Sequence, residues 1–459
     1  MRGPIAFLCA VATVVLGDPQ PHVCIVGSGI AGSSAAHFLA QGGGVRLSVF
    51  EKEHHVGGRM HVFDYRNTTI EAGGTIIHVG NKYMVGFARQ LGLELVRPGQ
   101  HSGGALRMGI YTGDGFALET STSKIVTLGK MLWRYGPLNL KKMHDVVQRT
   151  LDKFETIYTA QDEGTAFPSP NALLTALGLF DSTQTSLEAI MLAEGVSPRL
   201  INELMAGITR VNYGQNTTMS GFGGLVGLAG SGDDLRAIAG GSFQIPEGLL
   251  REAKVDLHLS TAVTAVTVTS DGKFELATTS GALATCDGVV LAAPQELTQA
   301  QLPVALAARA FQMTHTTFVQ GELSAAYFGQ ADVPEIVLTT ENASLPFSSI
   351  GLQYRKDGVS LYKVFSRAPM TSATLGHFFQ PDFTVVKTYP WAAYPTFQVP
   401  ETFTPFEVVP GLVYPNAIEN AASAMEMSAL SGRNAALLMQ KHLGLPLTSA
   451  SFAAVKDEL

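Results

Sequence analysis

The sequence predicts an α/β protein in which a doubly wound, Rossmann-type nucleotide-binding domain is interrupted by a second domain of mixed α+β structure. Three observations carry this prediction. An apolar strand runs directly into a G-x-G-x-x-G turn and a helix near residue 30, strands return after residue 255, and a strand followed by a small-residue helix comes near residue 412. At 459 residues the chain is also longer than one ordinary hydrophobic core requires.

The glycine turn is the most informative stretch. Strand Val23–Val26 leads into Gly27-Ser28-Gly29-Ile30-Ala31-Gly32, where the first glycine permits a tight turn and the second lets the backbone approach a pyrophosphate. The third glycine lets the helix lie close to the strand. A second strand, Arg46–Phe50, ends at Glu51, whose carboxylate is spaced to accept hydrogen bonds from ribose hydroxyls. The pattern predicts a dinucleotide site.

Two further glycine-bearing loops favour a flavin over a nicotinamide nucleotide. Gly57-Gly58-Arg59 lets the backbone pass beneath a flat ligand and offers a guanidinium to a pyrophosphate or a carbonyl group. Glu71-Ala72-Gly73-Gly74-Thr75 again places small residues where an extended ligand would pass. A domain that binds NAD alone needs neither loop, so the bound dinucleotide is predicted to be FAD.

The middle of the chain is predicted to be helical. Apolar residues recur at intervals of three and four in five segments, which are Asn81–Leu91, Leu138–Thr159, Pro170–Leu177, Ser186–Ala193 and Pro198–Ile208. The glycine-rich stretch Gly221–Gly232 follows them and is predicted to be a flexible or closely packed loop.

The second half returns to strands. Four segments have strand character, namely Val255–Leu259, Ala262–Thr269, Lys273–Thr278 and Gly288–Ala293. Asp271-Gly272 predicts a hairpin turn. Between Phe311 and Phe406 aromatic residues are dense, and we expect most of them to form core and some to line an apolar substrate tunnel. A final strand, Gly411–Tyr414, precedes a helix whose N-terminus is expected to point at the flavin.

These patterns predict a glutathione reductase-like FAD-binding domain in three discontinuous segments. The predicted divisions are a signal peptide at 1–17, FAD-binding segments at 18–110, 236–298 and 409–445, a helical substrate-domain segment at 111–235, an aromatic-rich substrate-domain segment at 299–408, and a tail at 446–459.

The composition and the two ends of the sequence limit which partners and which cellular compartment are expected. A net charge of −7 without any basic tract argues against nucleic acid. Residues 1–17 have the early arginine, the short apolar run and the small residue of a secretory signal, and no later segment is long enough to span a membrane. Asn67, Asn216 and Asn342 begin glycosylation sequons. The chain ends in Lys456-Asp457-Glu458-Leu459, which predicts retention in the ER lumen.

The cysteines leave two interpretations open. Once the signal is removed, Cys24 and Cys286 remain, and both lie in apolar strand-like runs. Buried free thiols are the preferred interpretation, and a disulfide between the two is the alternative. The histidines and cysteines show no ligand spacing, so no metal site is predicted.

Several motifs together resemble one family. The chain is similar to prenylcysteine oxidases, also called prenylcysteine lyases, within the monoamine oxidase-like flavoproteins. The motifs that carry this resemblance are GSGIAGSSAAHFL, VFEKEHHVGGRM, EAGGTIIHVGNKYM, GGSFQIPEGLL, KTYPWAAYPTF and ENAASAMEMSALSGRNAALL.

The resemblance implies noncovalent FAD, a farnesyl- or geranylgeranyl-cysteine substrate and O2 as the electron acceptor. Hydride transfer from the allylic carbon next to sulfur, followed by addition of water, would give a prenyl aldehyde, free cysteine and H2O2, as one step in the degradation of prenylated proteins. The family is usually regarded as lysosomal, which makes the lysosome the alternative to the ER.

These arguments select a set of candidate site residues. Those expected to bind FAD are Gly27, Ser28, Gly29, Ala31, Gly32, Glu51, Lys52, Gly58, Arg59, Gly74, Thr75, Val263, Ala424 and Met425. Val263 is included because a residue in this strand usually meets the adenine in related flavoproteins. His78 is the one catalytic candidate, as a handler of water or a proton, and a purely structural histidine is its alternative.

Two other functions stay open. The first is a flavin amine oxidase on the same scaffold, and the second is a weakly active flavoprotein that holds lipid as a partner in the secretory pathway. Peripheral membrane contact is an expectation from the substrate class alone, and the sequence leaves the oligomeric state open.

Overall fold

The computed structural model describes residues 20–99, 101–102, 104–232, 234–298 and 300–448. The predicted signal peptide and the C-terminal Lys-Asp-Glu-Leu lie outside this part of the chain. Within it, no helix is long and apolar enough to cross a membrane.

The strands are β1 His22–Val26, β2 Arg46–Phe50, β3 Val62–Tyr65, β4 Thr68–Glu71, β5 Ile77–His78, β6 Leu95–Val96, β7 Met108–Tyr111, β8 Phe116–Glu119, β9 Leu235–Ile238, β10 Asp256–His258, β11 Val263–Val268, β12 Phe274–Thr278, β13 Leu283–Cys286, β14 Gly288–Leu291, β15 Phe311–Gln320, β16 Ile336–Thr339, β17 Ser349–Lys356, β18 Val359–Ser366, β19 Thr384–Pro395, β20 Glu407–Val409 and β21 Leu412–Val413.

The helices are α1 Ile30–Gly42, α2 Lys82–Gln90, α3 Lys124–Tyr135, α4 Pro137–Asp162, α5 Pro170–Ala176, α6 Leu187–Ala193, α7 Pro198–Leu200, α8 Ala206–Tyr213, α9 Gly221–Ala229, α10 Gln244–Glu252, α11 Ala325–Phe328, α12 Ser372–Phe378 and α13 Met425–His442. A π-helical turn, Ile201–Met205, joins α7 to α8, and 3₁₀ turns lie at Phe180–Thr183, Gln295–Leu297 and Pro415–Asn420.

A six-stranded sheet organises the nucleotide-binding half of the molecule. Its order is β10-β2-β1-β14-β21-β20, and every pair is parallel except β21 with β20. All five residues of β1 are buried, as expected for the centre of a sheet covered on both faces. α1 packs closely on α13, where a Cβ on Gly432 would lie 2.5 Å from the carbonyl oxygen of Ala31. The strands of this sheet come from three separated parts of the chain.

A seven-stranded sheet organises the other half. Its order is β19-β15-β18-β17-β16-β7-β8, so residues 108–119 join a sheet otherwise built from residues 311–395. The segment boundary predicted at residue 110 therefore falls inside β7. On one side of the sheet, aromatic residues form a compact core, among them Tyr111, Phe328, Phe347, Phe378 and Phe379.

The helical part differs from the prediction in two places. The five predicted helices are present, but the glycine-rich stretch predicted to be a loop is the buried helix α9. A Cβ on Gly221 would lie 2.3 Å from Cδ1 of Ile190, and one on Gly224 would lie 2.7 Å from Cδ2 of Leu187. The glycines thus serve close packing of α9 on α6 rather than chain flexibility. Helix α3 was not among the predicted elements.

The preferred interpretation of the cysteines was wrong. Cys24 and Cys286 form a disulfide, with their Cα atoms 5.9 Å apart, and both residues are almost fully buried. β13 ends just before β14, and β14 is the direct neighbour of β1, so the sheet brings the two thiols together across 262 residues of sequence. Such a bond is typical of an oxidising compartment.

Removal of this disulfide should lower the stability of the fold without abolishing the predicted dinucleotide site. For a Cys24→Ala/Cys286→Ala variant we expect the free energy of unfolding to fall by about 2–5 kcal/mol, because a long loop is no longer closed in the unfolded chain. Denaturant melts of the apoprotein measure this loss. Wild-type protein melted under reducing conditions should show the same loss, and an unchanged midpoint in both samples would contradict the prediction.

Candidate active site

One large cavity joins the two halves of the molecule. Its volume is about 1760 Å³, well above the roughly 300–1,000 Å³ typical of a small-ligand pocket. Its walls include the carboxyl ends of β1 and β2, the N-terminus of α13, one face of the seven-stranded sheet, and parts of α4, α8 and α9. The space therefore suffices for a dinucleotide and a substrate together.

The turn between β1 and α1 forms one end of this cavity. Gly27 has φ +101°, and a Cβ on it would lie 2.9 Å from the Ala292 carbonyl oxygen. A Cβ on Gly32 would lie 2.1 Å from the Gly27 carbonyl oxygen. Gly29 differs, because its φ of −73° suits any residue and the nearest atom to its Cβ position is Gly58 Cα at 3.8 Å. Gly27 and Gly32 are thus required by the fold, whereas Gly29 leaves room for a ligand.

Glu51 is held in place beside this turn. Its Oε2 accepts hydrogen bonds from the Ser28 backbone N–H (2.9 Å) and from Ser28 Oγ (2.6 Å), and its Oε1 accepts one from the Glu53 N–H (3.0 Å). Within the described residues, Oε1 accepts only this one bond and keeps acceptor capacity for a ligand. The fixed carboxylate is therefore suited to a ribose diol. Lys52 lies at the exposed rim, where its Nζ donates to the Leu297 carbonyl at 3.3 Å.

The two additional glycine loops pack against each other. Gly58 has φ +57°, and its Cβ position lies 3.2 Å from Gly29 Cα. A Cβ on Gly73 would lie 2.0 Å from the Arg59 carbonyl oxygen. The Arg59 guanidinium lines the cavity, but it forms an ion pair with buried Glu419 and donates to the Ala393 carbonyl at 3.0 Å. Its position is therefore fixed by the protein itself.

The start of α13 forms another wall of the cavity, next to the second glycine loop. Ala424 is the N-cap of the helix and has no side-chain capping bond, and the first N–H groups of an α-helix have no partner within it. Residues 423–428 line the cavity. Met425 Sδ lies 3.6 Å from the Cβ position of Gly74, so the helix start and the second glycine loop are in contact. The positive end of the helix dipole here favours a group that gains negative charge.

The structure places the predicted cofactor residues together. All of them line this one cavity except Gly32, which lies beneath the turn. Val263 reaches it at the end where Glu51 lies, because the Thr261 N–H donates to the Glu51 carbonyl at 2.7 Å. Thr75 Oγ1 donates to the Gly73 carbonyl at 3.1 Å and stiffens the second glycine loop.

These residues fit FAD. The space at Gly29, the fixed carboxylate of Glu51 and the N–H groups of α13 match a pyrophosphate, a ribose and an electron-accepting ring in turn. Asn416 independently indicates that a ligand binds in this cavity. The residue lines the cavity, and its buried Oδ1 has no hydrogen-bond partner among the described residues.

His78 also lines the cavity and is held as a neutral imidazole. Its Nδ1 accepts the Gly80 N–H at 3.0 Å, and its own backbone N–H donates to Asn81 Oδ1 at 2.8 Å. Burial lowers the pKa of the imidazole below its ordinary value. The ring proton therefore sits on Nε2, which can donate a hydrogen bond to a water or a substrate atom.

The sequence reasoning missed a charged pair in the same cavity, Lys363 on β18 and Glu71 at the end of β4. Lys363 Nζ donates to the Glu71 backbone carbonyl at 3.3 Å. Burial lowers the pKa of Lys363 to about 8 although the nearby Glu71 charge opposes the shift, and burial raises the pKa of Glu71. One signal could have found the lysine, since it alternates in phase with apolar Leu361 and Phe365.

The remaining walls are largely apolar. They come from one face of the seven-stranded sheet and from the helices above it, and they include Val147, Leu151, Leu225, Leu338 and Phe365. Trp391 is fixed by a hydrogen bond from its Nε1 to Thr316 Oγ1 at 3.1 Å. Of the aromatic residues predicted to supply core and tunnel, Phe365, Trp391 and Tyr394 line the cavity, and most of the others are core.

Comparisons with known proteins identify the family of the chain. A family model described as prenylcysteine lyase matches residues 118–449, and one described as an NAD(P)-binding Rossmann-like domain matches residues 25–91. Farnesylcysteine lyase of Arabidopsis thaliana is 36% identical over 449 residues, covering 92% of this chain and 88% of that protein. Prenylcysteine oxidase 1 of Homo sapiens is 36% identical over 461 residues, covering 92% and 89%.

Solved structures show the same fold at low identity. Cyclohexylamine oxidase from Brevibacterium oxydans superposes with a TM-score of 0.62 at 16% identity, covering 93% of this chain and 100% of that one. Putrescine oxidase bound to putrescine superposes with a TM-score of 0.59 at 15% identity, covering 91% and 98%. The predicted fold class, a Rossmann-type domain with an inserted mixed domain, is confirmed.

Proposed function

The chain belongs to the prenylcysteine lyase family, and from that premise we propose that it is an FAD-dependent oxidase that cleaves the thioether of farnesyl- or geranylgeranyl-cysteine. The overall reaction consumes prenylcysteine, O2 and water and releases a prenyl aldehyde, free cysteine and H2O2. The observation that carries the proposal is one cavity of about 1760 Å³ that joins a dinucleotide cradle to a largely apolar chamber suited to an isoprenoid chain.

The residues of the chain have separate tasks in this reaction. The 27–29 turn and Glu51 would hold the dinucleotide part of FAD, and the start of α13 would face its ring, which when bound accepts a hydride equivalent from the substrate. The apolar walls bind the isoprenoid and exclude stray water. His78 offers an N–H donor that can orient the water that adds to the oxidised carbon. No covalent nucleophile is needed for this chemistry.

Lys363 and Glu71 suit the polar end of the same substrate. Prenylcysteine carries a carboxylate and an ammonium group at one end and a hydrocarbon chain at the other. Lys363 provides a cation within the cavity, and Glu71 lies beside it. Lys363 suits the carboxylate and Glu71 suits the ammonium group, whereas a simple amine would leave Lys363 without a partner from the substrate, so the pair favours an amino-acid end over an amine.

The proposal is tested by an anaerobic visible spectrum of the purified protein before and after addition of farnesylcysteine. We expect flavin bands that bleach with this substrate and return with air, with one H2O2 and one farnesal for each cysteine released. Bands that persist with farnesylcysteine but bleach with an amine would replace the proposal with the amine oxidase. Bands that respond to neither would favour a lipid-holding flavoprotein, and a protein that cannot be loaded with FAD would overturn the cofactor assignment.

We propose the secretory pathway as the compartment, with the ER lumen preferred because of the C-terminal sequence and the lysosome as the alternative. The Cys24–Cys286 disulfide supports an oxidising compartment. Among the sequons, Asn67 is exposed in the turn between β3 and β4, whereas the side-chain nitrogen of Asn342 donates to the Thr112 carbonyl. We therefore expect glycosylation first at Asn67, checked by peptide mapping after endoglycosidase treatment.

A further inference from the structure

We propose that α3 and the first turn of α4 form a docking surface for an anionic lipid bilayer. This docking surface consists of Ile125, Val126, Leu128, Leu132, Trp133 and Leu138. Ile125, Trp133 and Leu138 are 83%, 86% and 72% exposed, which is rare for three large apolar side chains so close in sequence. Membrane binding through this surface does not depend on which substrate the protein oxidises.

The orientation of α3 is the reverse of that of an ordinary surface helix. At 3.6 residues per turn, its exposed apolar side chains fall on one continuous sector of about 160°. On the opposite side of the helix Arg134 pairs with Glu203 at 2.6 Å. Tyr135, the single buried residue of the helix, lies at the border of the apolar sector and anchors the C-terminal end of the helix. The apolar face therefore points away from the core, which is the arrangement of a helix that lies in a membrane interface.

The charges around this face fit an anionic surface. Between residues 124 and 144 the sequence contains five basic residues and no Asp or Glu, although the whole chain has a net charge of −7. The Nζ groups of Lys130 and Lys142 each donate to a backbone carbonyl, at 3.0 and 2.9 Å, whereas Lys141 pairs with Asp145 at 2.6 Å. Basic residues that flank an apolar face with a tryptophan are typical of proteins that bind anionic lipids from the aqueous side.

The surface is also connected to the cavity. Met131 and Tyr135 pack in the same small core as Val147 and Leu225, and the last two line the cavity. Along α4, exposed Gln148 is a cavity-lining residue about 15 Å from Leu138, at 1.5 Å per residue. A bilayer in contact with α3 would thus lie beside the part of the cavity that α4 borders. This continuity favours a lipid surface over an unrelated protein partner.

The experiment is flotation of the FAD-loaded, full-length mature protein with vesicles. We expect the wild type to float with phosphatidylcholine vesicles that contain 30% phosphatidylserine, and to float much less with phosphatidylcholine alone or in high salt. Ile125→Glu/Trp133→Glu should reduce the floated fraction at least tenfold. Leu283→Glu, which changes an equally exposed leucine on β13, is the matched control and should float like the wild type.

The outcomes distinguish membrane binding from misfolding, loss of activity and dimer formation. Both glutamate variants should keep the melting temperature, the flavin content and the turnover of detergent-dispersed substrate, because the changed side chains touch neither the core nor the cavity. A wild type that stays soluble with both kinds of vesicle would overturn the proposal. So would a double variant that floats like the wild type, or light scattering that shows a wild-type dimer converted to a monomer by the double substitution without any vesicle binding.

Discussion

Replacing Gly29 by valine is expected to abolish FAD binding while leaving the apoprotein folded. The backbone at Gly29 has φ −73° and ψ −172°, which valine adopts readily, and the nearest protein atom to the new Cβ lies 3.8 Å away. The added methyl groups instead fill the space through which a pyrophosphate must approach the start of α1. We expect FAD affinity to fall by at least about 100-fold, or about 2.7 kcal/mol.

The measurement is titration of the apoprotein with FAD, followed by flavin fluorescence and paired with thermal melts in the absence of FAD. Gly32→Ala provides the contrast, because its Cβ would lie 2.1 Å from the Gly27 carbonyl oxygen and the apoprotein itself should be destabilised. If Gly29→Val bound FAD like the wild type, the turn would not be the pyrophosphate site. If neither apoprotein folded, Gly29 would have a structural role that the open space around it does not explain.

Lys363→Met is expected to lower kcat/KM for farnesylcysteine by about 10- to 150-fold at pH 7, the range that corresponds to loss of one hydrogen bond to a charged group, about 1.5–3 kcal/mol. The wild-type pKa of about 8 means that the cation is present at neutral pH and is lost as the pH rises. The wild-type kcat/KM should therefore fall above pH 8, and this decline should be absent from the variant. Titration of the substrate's own ammonium group affects both proteins equally.

The stability of this variant should not fall. Because the pKa of Lys363 is lowered on folding, the unfolded chain binds more protons between pH 8 and about 10.4. Burial of the charged lysine therefore costs stability in full below pH 8, and that cost disappears as the pH rises through this range. At pH 7 the methionine variant should melt at the wild-type temperature or above it. Lys387→Met, on an exposed part of β19 in the same sheet, is the control and should change neither activity nor the pH profile. An unchanged kcat/KM in Lys363→Met would remove the lysine from substrate binding.

Local features of the site were predictable from sequence, and features that depend on the assembled sheets were not. The Gly27 turn and Glu51 are encoded within about 25 consecutive residues, so their spacing alone indicates their use. The disulfide depends on two strands 262 residues apart that become near neighbours only in the finished sheet. The alternation of Lys363 with Leu361 and Phe365 assigns the lysine to an apolar face of β18, but that this face borders the cavity depends on the register of β18 between β15 and β17.

The glycines of α9 gave a wrong prediction, and α3 was not predicted at all, for related reasons. In α9 the glycines meet the side chains of α6, so a composition typical of a loop is compatible with a tightly packed helix. In α3 the apolar residues face outward, so the expected relation between periodicity and burial is inverted. In both helices, which residues are buried is decided by the surface that the helix packs against rather than by the sequence of the helix itself.

The strand order of the six-stranded sheet has a consequence for how the chain is made. β1 lies between β2, which follows it by about 20 residues, and β14, which begins at Gly288. During synthesis one edge of β1 therefore remains unpaired until nearly two thirds of the polypeptide has emerged. β20 and β21 join the sheet later still. An N-terminal fragment that contains the complete glycine turn would expose the bare edge of its innermost strand. The nucleotide-binding half is consequently not a detachable module, and truncations that end before residue 413 should aggregate rather than bind nucleotide.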